Sequence, residues 1–166
     1  MSQKKNVFDE NDIDDNFPLD ISEETEESNT IAEDKRCLIT NNDITVVMKH
    51  FCIVKEDTVF LDYLYFKSFA NKNTYSIIHQ TVTSSYDAIL SKYPMFNLQV
   101  NINGITFSDI HIHHKFILFI TKQLKERYPQ KLNQCFIFNA PKSFVRIYRL
   151  ISMFVESDTL KKIHIL

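Results

Sequence analysis

The sequence predicts an α/β domain, a mostly parallel sheet with crossover helices, preceded by a disordered acidic tail. Three observations carry that prediction. From residue 97 onward the apolar residues switch between strand-like and helix-like spacing in the order strand, helix, strand, helix, strand, and such alternation builds parallel sheets with right-handed crossovers. The run Cys135-Phe136-Ile137-Phe138, bounded by Asn133-Gln134 and Asn139-Ala140-Pro141, reads as a strand buried on both faces. Charge divides the chain: residues 1–34 hold 12 of the 21 acidic residues and only Lys4 and Lys5, a net −10, whereas residues 35–166 carry 17 basic and 9 acidic residues, a net +8.

Residues 1–36 include Asp9-Glu10, Asp14-Asp15 and Ser22-Glu23-Glu24-Thr25-Glu26-Glu27-Ser28. Few large apolar side chains are present to offset the entropy of ordering, so this segment is expected to be disordered. It is either a solvated tail or a shield for the basic remainder that phosphorylation would strengthen. Residues 37–166 form the predicted domain.

Within it, Ile44 to Val47 and Thr58 to Phe66 are rich in β-branched and aromatic residues, with Asn41-Asn42-Asp43 and Lys55-Glu56-Asp57 as turns. Short strands are the expectation, although Phe60, Leu61, Leu64 and Tyr65 also fit a helix. Ile77, Ile78, Val82, Tyr86, Ile89 and Leu90 recur at helical spacing until Pro94, which predicts a helix over 74–92. Leu98, Val100 and Ile102 then alternate with polar residues, a strand with one wet or ligand-facing side. Gly104 breaks it, and Ser108 is the expected N-cap of a helix that turns Ile110, Phe116, Ile117, Phe119, Ile120 and Leu124 inward and stops near Tyr128-Pro129.

After the second strand, Pro141 suits the first turn of a helix. Between Lys142 and Val155 only Ser143, Arg146, Arg149 and Ser152 interrupt the apolar residues. A helix apolar nearly all round is buried, lines an apolar cavity or meets lipid; at about fourteen residues it falls short of the roughly twenty that span a bilayer. Lys161-Lys162 then open a last apolar strand, Ile163-His164-Ile165.

Several kinds of chemistry find no support. One glycine in the chain builds neither a phosphate-cradling loop nor a dinucleotide fingerprint. His111-Ile112-His113-His114 has only Asp109 nearby, and first-turn surface histidines explain it better than a metal site, so no metal and no cofactor are expected. Cys37, Cys52 and Cys135 lack metal spacing and read as small apolar residues in a reducing compartment. Lys115, Lys122, Lys125 and Arg127 share a helix with Glu126 and no aromatic platform, which argues against nucleic acid. No serine or cysteine sits in a strand-to-helix elbow, so no enzyme activity is expected. The N-terminus has no apolar signal segment, and the expected location is cytoplasmic, with peripheral membrane contact.

Tyr128-Pro129 with Leu132, the strand ending in Asn139-Ala140-Pro141, the helix carrying Phe144, and the Lys162-Ile163-His164-Ile165 strand resemble the CRAL-TRIO lipid-binding domain of phosphatidylinositol/phosphatidylcholine transfer proteins. The likeness covers roughly residues 95–166. It implies non-catalytic binding, or transfer, of a phosphoinositide-like or other hydrophobic lipid. The family's head-group lysine falls on Lys162, beside Lys161, and the accompanying glutamate falls on Gln130, which still hydrogen-bonds a hydroxyl but carries no charge. Phe144, Ile147, Tyr148 and Ile151 are the expected acyl-chain lining. The Ser/Thr pair that holds phosphocholine falls on Phe96 and Leu98, which disfavours choline lipids. The family pattern runs on past this last strand, so the resemblance implies a partial or minimal domain truncated at the C-terminus. The competing reading is a protein-interaction module of the same fold that has lost its lipid pocket and holds a protein partner.

Overall fold

The computed structural model describes residues 41–142, 144–152, 155 and 157–166. The acidic segment and Cys37 lie outside the described residues.

Helix α1 spans Asn41–Phe51. The expected strand at Ile44 to Val47 is therefore wrong. Ile44, Val47, Met48 and Phe51 fall at i, i+3, i+4 and i+7 and pack into the main core, so one-sided burial overrides β-branched propensity. A hairpin follows: β1 (Cys52–Lys55) pairs antiparallel with β2 (Thr58–Asp62). Glu56 makes the turn at φ +55°, a backbone region uncommon outside glycine.

The expected strand from Thr58 to Phe66 ends early, because the Asp62 side chain accepts from the Leu64 N–H and starts α2 (Tyr63–Phe69). Helix α3 (Tyr75–Leu90) leads to β3 (Phe96–Asn101), and α4 (Phe107–Arg127) leads to β4 (Leu132–Phe138). The α4 N-cap is Thr106 rather than Ser108: Thr106 Oγ1 accepts from the Asp109 N–H while the Asp109 carboxylate accepts from the Thr106 N–H, a reciprocal pair that satisfies two end groups. Helices α5 (Phe144–Ser152) and α6 (Ser157–Leu160) precede the edge strand β5 (Ile163–Ile165).

Strand order is β1-β2-β3-β4-β5, parallel from β2 onward. Each parallel step moves to the next strand in the same direction, and right-handed crossovers of that kind leave the connecting helices on one face. That face holds the core: Val59, Phe96, Leu98 and Cys135 pack with Ile78, Val82, Tyr86, Ile89 and Phe116. The opposite face carries the row Ile53, Phe60, Gln99, Phe136 and His164, in register across all five strands. Ile53 is 48% exposed. The expectation of a strand buried on both faces is thus corrected: in β4 Cys135 is buried, whereas Phe136 is half-buried and stacks on His164.

Candidate functional site

A β-bulge shapes the first part of the site. Phe96 pairs with Leu132 and Leu98 with Cys135, so one extra residue in β4 lets Leu132 and Cys135, three apart, both face the helices. Just upstream, Gln130 adopts φ +58° in the turn that ends α4. Just beyond β4's partner edge, Lys162 donates from Nζ to the Leu132 carbonyl at 2.6 Å, and its own carbonyl accepts from the Cys135 N–H.

These turns bring Gln130 and Lys162 to one cavity of about 170 Å³, walled by Phe96, Leu98, Leu124, Tyr128, Cys135 and Ile163. Tyr128 is fixed there because its hydroxyl donates to Asp87 Oδ1 at 2.8 Å and sits 3.1 Å from the Thr83 carbonyl. Burial first, and then Asp87, raise its pKa. Lys161 is placed differently. It is exposed and pairs with Asp158 at 2.8 Å, and it does not line the cavity.

Leu98, Thr121 and Leu124 also wall a second cavity of about 300 Å³ that runs under α3 and α4 toward the C-terminal ends of the strands. Phe144 is buried and lines it. Tyr148 packs against the small cluster of Ile102, Ile110 and Phe144, with its ring 6.4 Å from Phe144, but lines neither cavity. Ile147 and Ile151 lie on α5, and their side chains are outside the described residues. The helix is not buried all round, since Val145 is 63% exposed.

Besides Thr121, the polar residues Tyr63, Asp109 and His113 border the larger cavity, and none of them was assigned to a site from the sequence. Burial alone would raise the Asp109 pKa, but Lys67 and Thr106 hold its carboxyl at about 2. The His113 pKa is lowered by burial, which outweighs the opposing Asp109 charge. Helical spacing carried the signal for His113, three residues from both Ile110 and Phe116, and Thr106 three residues before Asp109 carried the capping signal. Of the histidines expected at the surface, His111 is exposed, His114 is half-buried and His113 is buried, turned inward with the apolar face of α4. Among the described residues no cluster of metal-ligating side chains is found.

Residues 94–166 match the family model of the CRAL/TRIO domain. This part of the chain is similar to the CRAL/TRIO domain. Over 67 residues the chain is 30% identical to the Sec14 cytosolic factor of Schizosaccharomyces pombe, a match that covers 40% of this chain and 23% of that protein. The crystal structure of Sfh5 superposes with a TM-score of 0.63 at 15% identity, covering 73% of this chain and 50% of that one. The chain thus spans under a quarter of its curated relative, and the Sfh5 likeness shows the fold alone. The CRAL/TRIO match contains Gln130, Lys162 and all of α4 and α5. The hairpin β1-β2 and helices α1 to α3 lie outside it. No described helix is long and apolar enough to cross a membrane.

Proposed function

We propose that this CRAL/TRIO-like chain binds a phosphoinositide-like lipid without catalysis, its head group between Lys162 and Gln130 and its hydrocarbon in the apolar space behind them. The observation that supports this reading is the convergence of those two residues on one apolar-walled cavity that adjoins a larger one. A phosphate there accepts a charge-assisted hydrogen bond from Lys162, and the Gln130 amide serves an inositol hydroxyl. Each methylene taken from water adds about 0.8 kcal/mol.

Nucleophilic chemistry is poorly served by the described thiols. Burial raises the Cys52 pKa and pushes Cys135 up to about 12, so neither is a ready thiolate. The name of the Sec14 cytosolic factor supports a cytosolic location. An interaction module that has lost its pocket is favoured only by the apolar residues on the open sheet face, and the two cavities weigh against it.

Co-sedimentation with phosphatidylcholine vesicles containing phosphatidylinositol 4-phosphate tests the proposal. Binding that Lys162→Ala removes supports it. No binding, or binding indifferent to Lys162, ends it.

A further inference from the structure

The described residues leave one face of the sheet open. The row Ile53, Phe60, Gln99, Phe136 and His164 crosses all five strands, and Ile53 and His164 are exposed. Phe60 and Phe138 also line a trough of about 440 Å³ that His50 and Lys55 border. Two polar ladders bound the row. Asn97 donates to Asp57 and accepts from Asn133 at one end of the strands, and Asn101 donates to Asp62 and accepts from Asn139 at the other. Contiguous apolar patches of this kind mark interaction sites.

Charge and spacing select the occupant. Residues 35–166 carry a net +8, so two copies meeting on this face would oppose like charges, whereas residues 1–34, at −10, are drawn to it. Within that acidic part Phe17, Leu19 and Ile21 alternate with Pro18, Asp20 and Ser22, which gives an extended chain one apolar side. Extended, Phe17 to Ile21 spans about 13 Å, and Ile53 to Phe136, three strands apart, spans about 14 Å. The tether permits the contact. The described chain begins at Asn41, the head of α1, which runs directly into the edge strand β1. The roughly 20 residues between Ile21 and Asn41 reach up to about 66 Å, several times the radius of gyration of about 14 Å for a domain of this size.

We infer that the chain's own residues 17–21 lie across the open sheet face, with Phe17, Leu19 and Ile21 against the Ile53, Phe60 and Phe136 row. Asp14, Asp15 and Asp20 then bring carboxylates to the side of the sheet that holds His50 and Lys55, and the Gln99 amide, in the middle of the row, offers a hydrogen bond to the covering backbone. Linkage within one chain supplies an effective concentration in the millimolar range, so a weak contact suffices. The inference does not depend on the lipid reading, because both cavities lie on the other, helix-covered face of the sheet.

The test uses the full chain with Phe17→p-benzoylphenylalanine, irradiated and mapped by mass spectrometry. Cross-links within one chain to Ile53, Phe60 or Phe136 are expected. Leu19→Asp with Ile21→Asp adds charge of the favourable sign but removes the apolar match, and should cut their yield about tenfold. Cross-links between two chains, cross-links to the helix-covered side, no cross-link at all, or a yield indifferent to the double substitution overturns the inference.

Discussion

Lys162 reaches back 2.6 Å to the Leu132 carbonyl, at the bulge that lets β4 turn two residues toward the same cavity. The bond orients an ammonium that keeps further donors for a ligand. Lys162→Met keeps the apolar stem and removes the charge. It is expected to lower affinity for phosphoinositide vesicles about tenfold or more, the scale of one charge-assisted hydrogen bond. Stability should fall by only about 0.5–1.5 kcal/mol, read by urea denaturation.

Asp109 joins two helices: it caps α4, and it meets α2 through an ion pair with Lys67 and through Tyr63, the first residue of that helix. Its carboxyl is held at about 2, below the ordinary 3.8. A depressed pKa gives stability that is present above pH 3.8 and lost as pH falls toward 2. Asp109→Asn removes the charge and should flatten the wild type's stability loss across that acid window, while costing about 1–2 kcal/mol at pH 7. Thermal unfolding from pH 2 to 7 checks both.

Much of the sheet was legible, because Leu98, Val100 and Ile102 alternate with polar residues, and because Pro94 and Gly104 mark its limits. What could not be read was strand order. The run Cys135 to Phe138 carries no mark of being covered on one side only; that follows from five strands lying in sequence order, which puts every crossover on one face. The α1 error had a different cause: its i, i+3, i+4, i+7 pattern was present but short, and β-branched propensity hid it. At the site, Lys162 and Gln130 came from family likeness, whereas Tyr63 escaped notice because Asp109 and His113, which border the same cavity, lie more than forty residues away in the chain.

His113 lies on the buried side of α4, with the Tyr75 hydroxyl at its Nδ1 and the rings of Phe66 and Tyr75 edge-on to it. Asp109 and Lys67 are the charges that act on it, in opposite senses, and burial prevails to lower its pKa below 6.5. Protonation therefore favours the unfolded chain. Its contribution to stability is complete above pH 6.5 and is lost as pH falls below that value. The Tm should drop between pH 7 and pH 5, well before Asp109 titrates, and His113→Gln should shrink that drop. Part of the drop will remain, because burial also lowers the His79 pKa.

Phe96 binds the core to the candidate site. It is 1% exposed, stacks on Tyr86 at 4.3 Å, meets Tyr128 edge-on at 6.2 Å and walls the 170 Å³ cavity. Phe96→Ala removes a ring from close-packed surroundings and should cost about 3–5 kcal/mol, measured by chemical denaturation. Because the lost ring borders space that is already open, the gap it leaves joins the cavity rather than closing. Ligands bulkier than the wild type accepts should therefore gain affinity relative to slim ones in any Phe96→Ala protein that folds. A parallel loss for both would mean that the ring supports the site without shaping it.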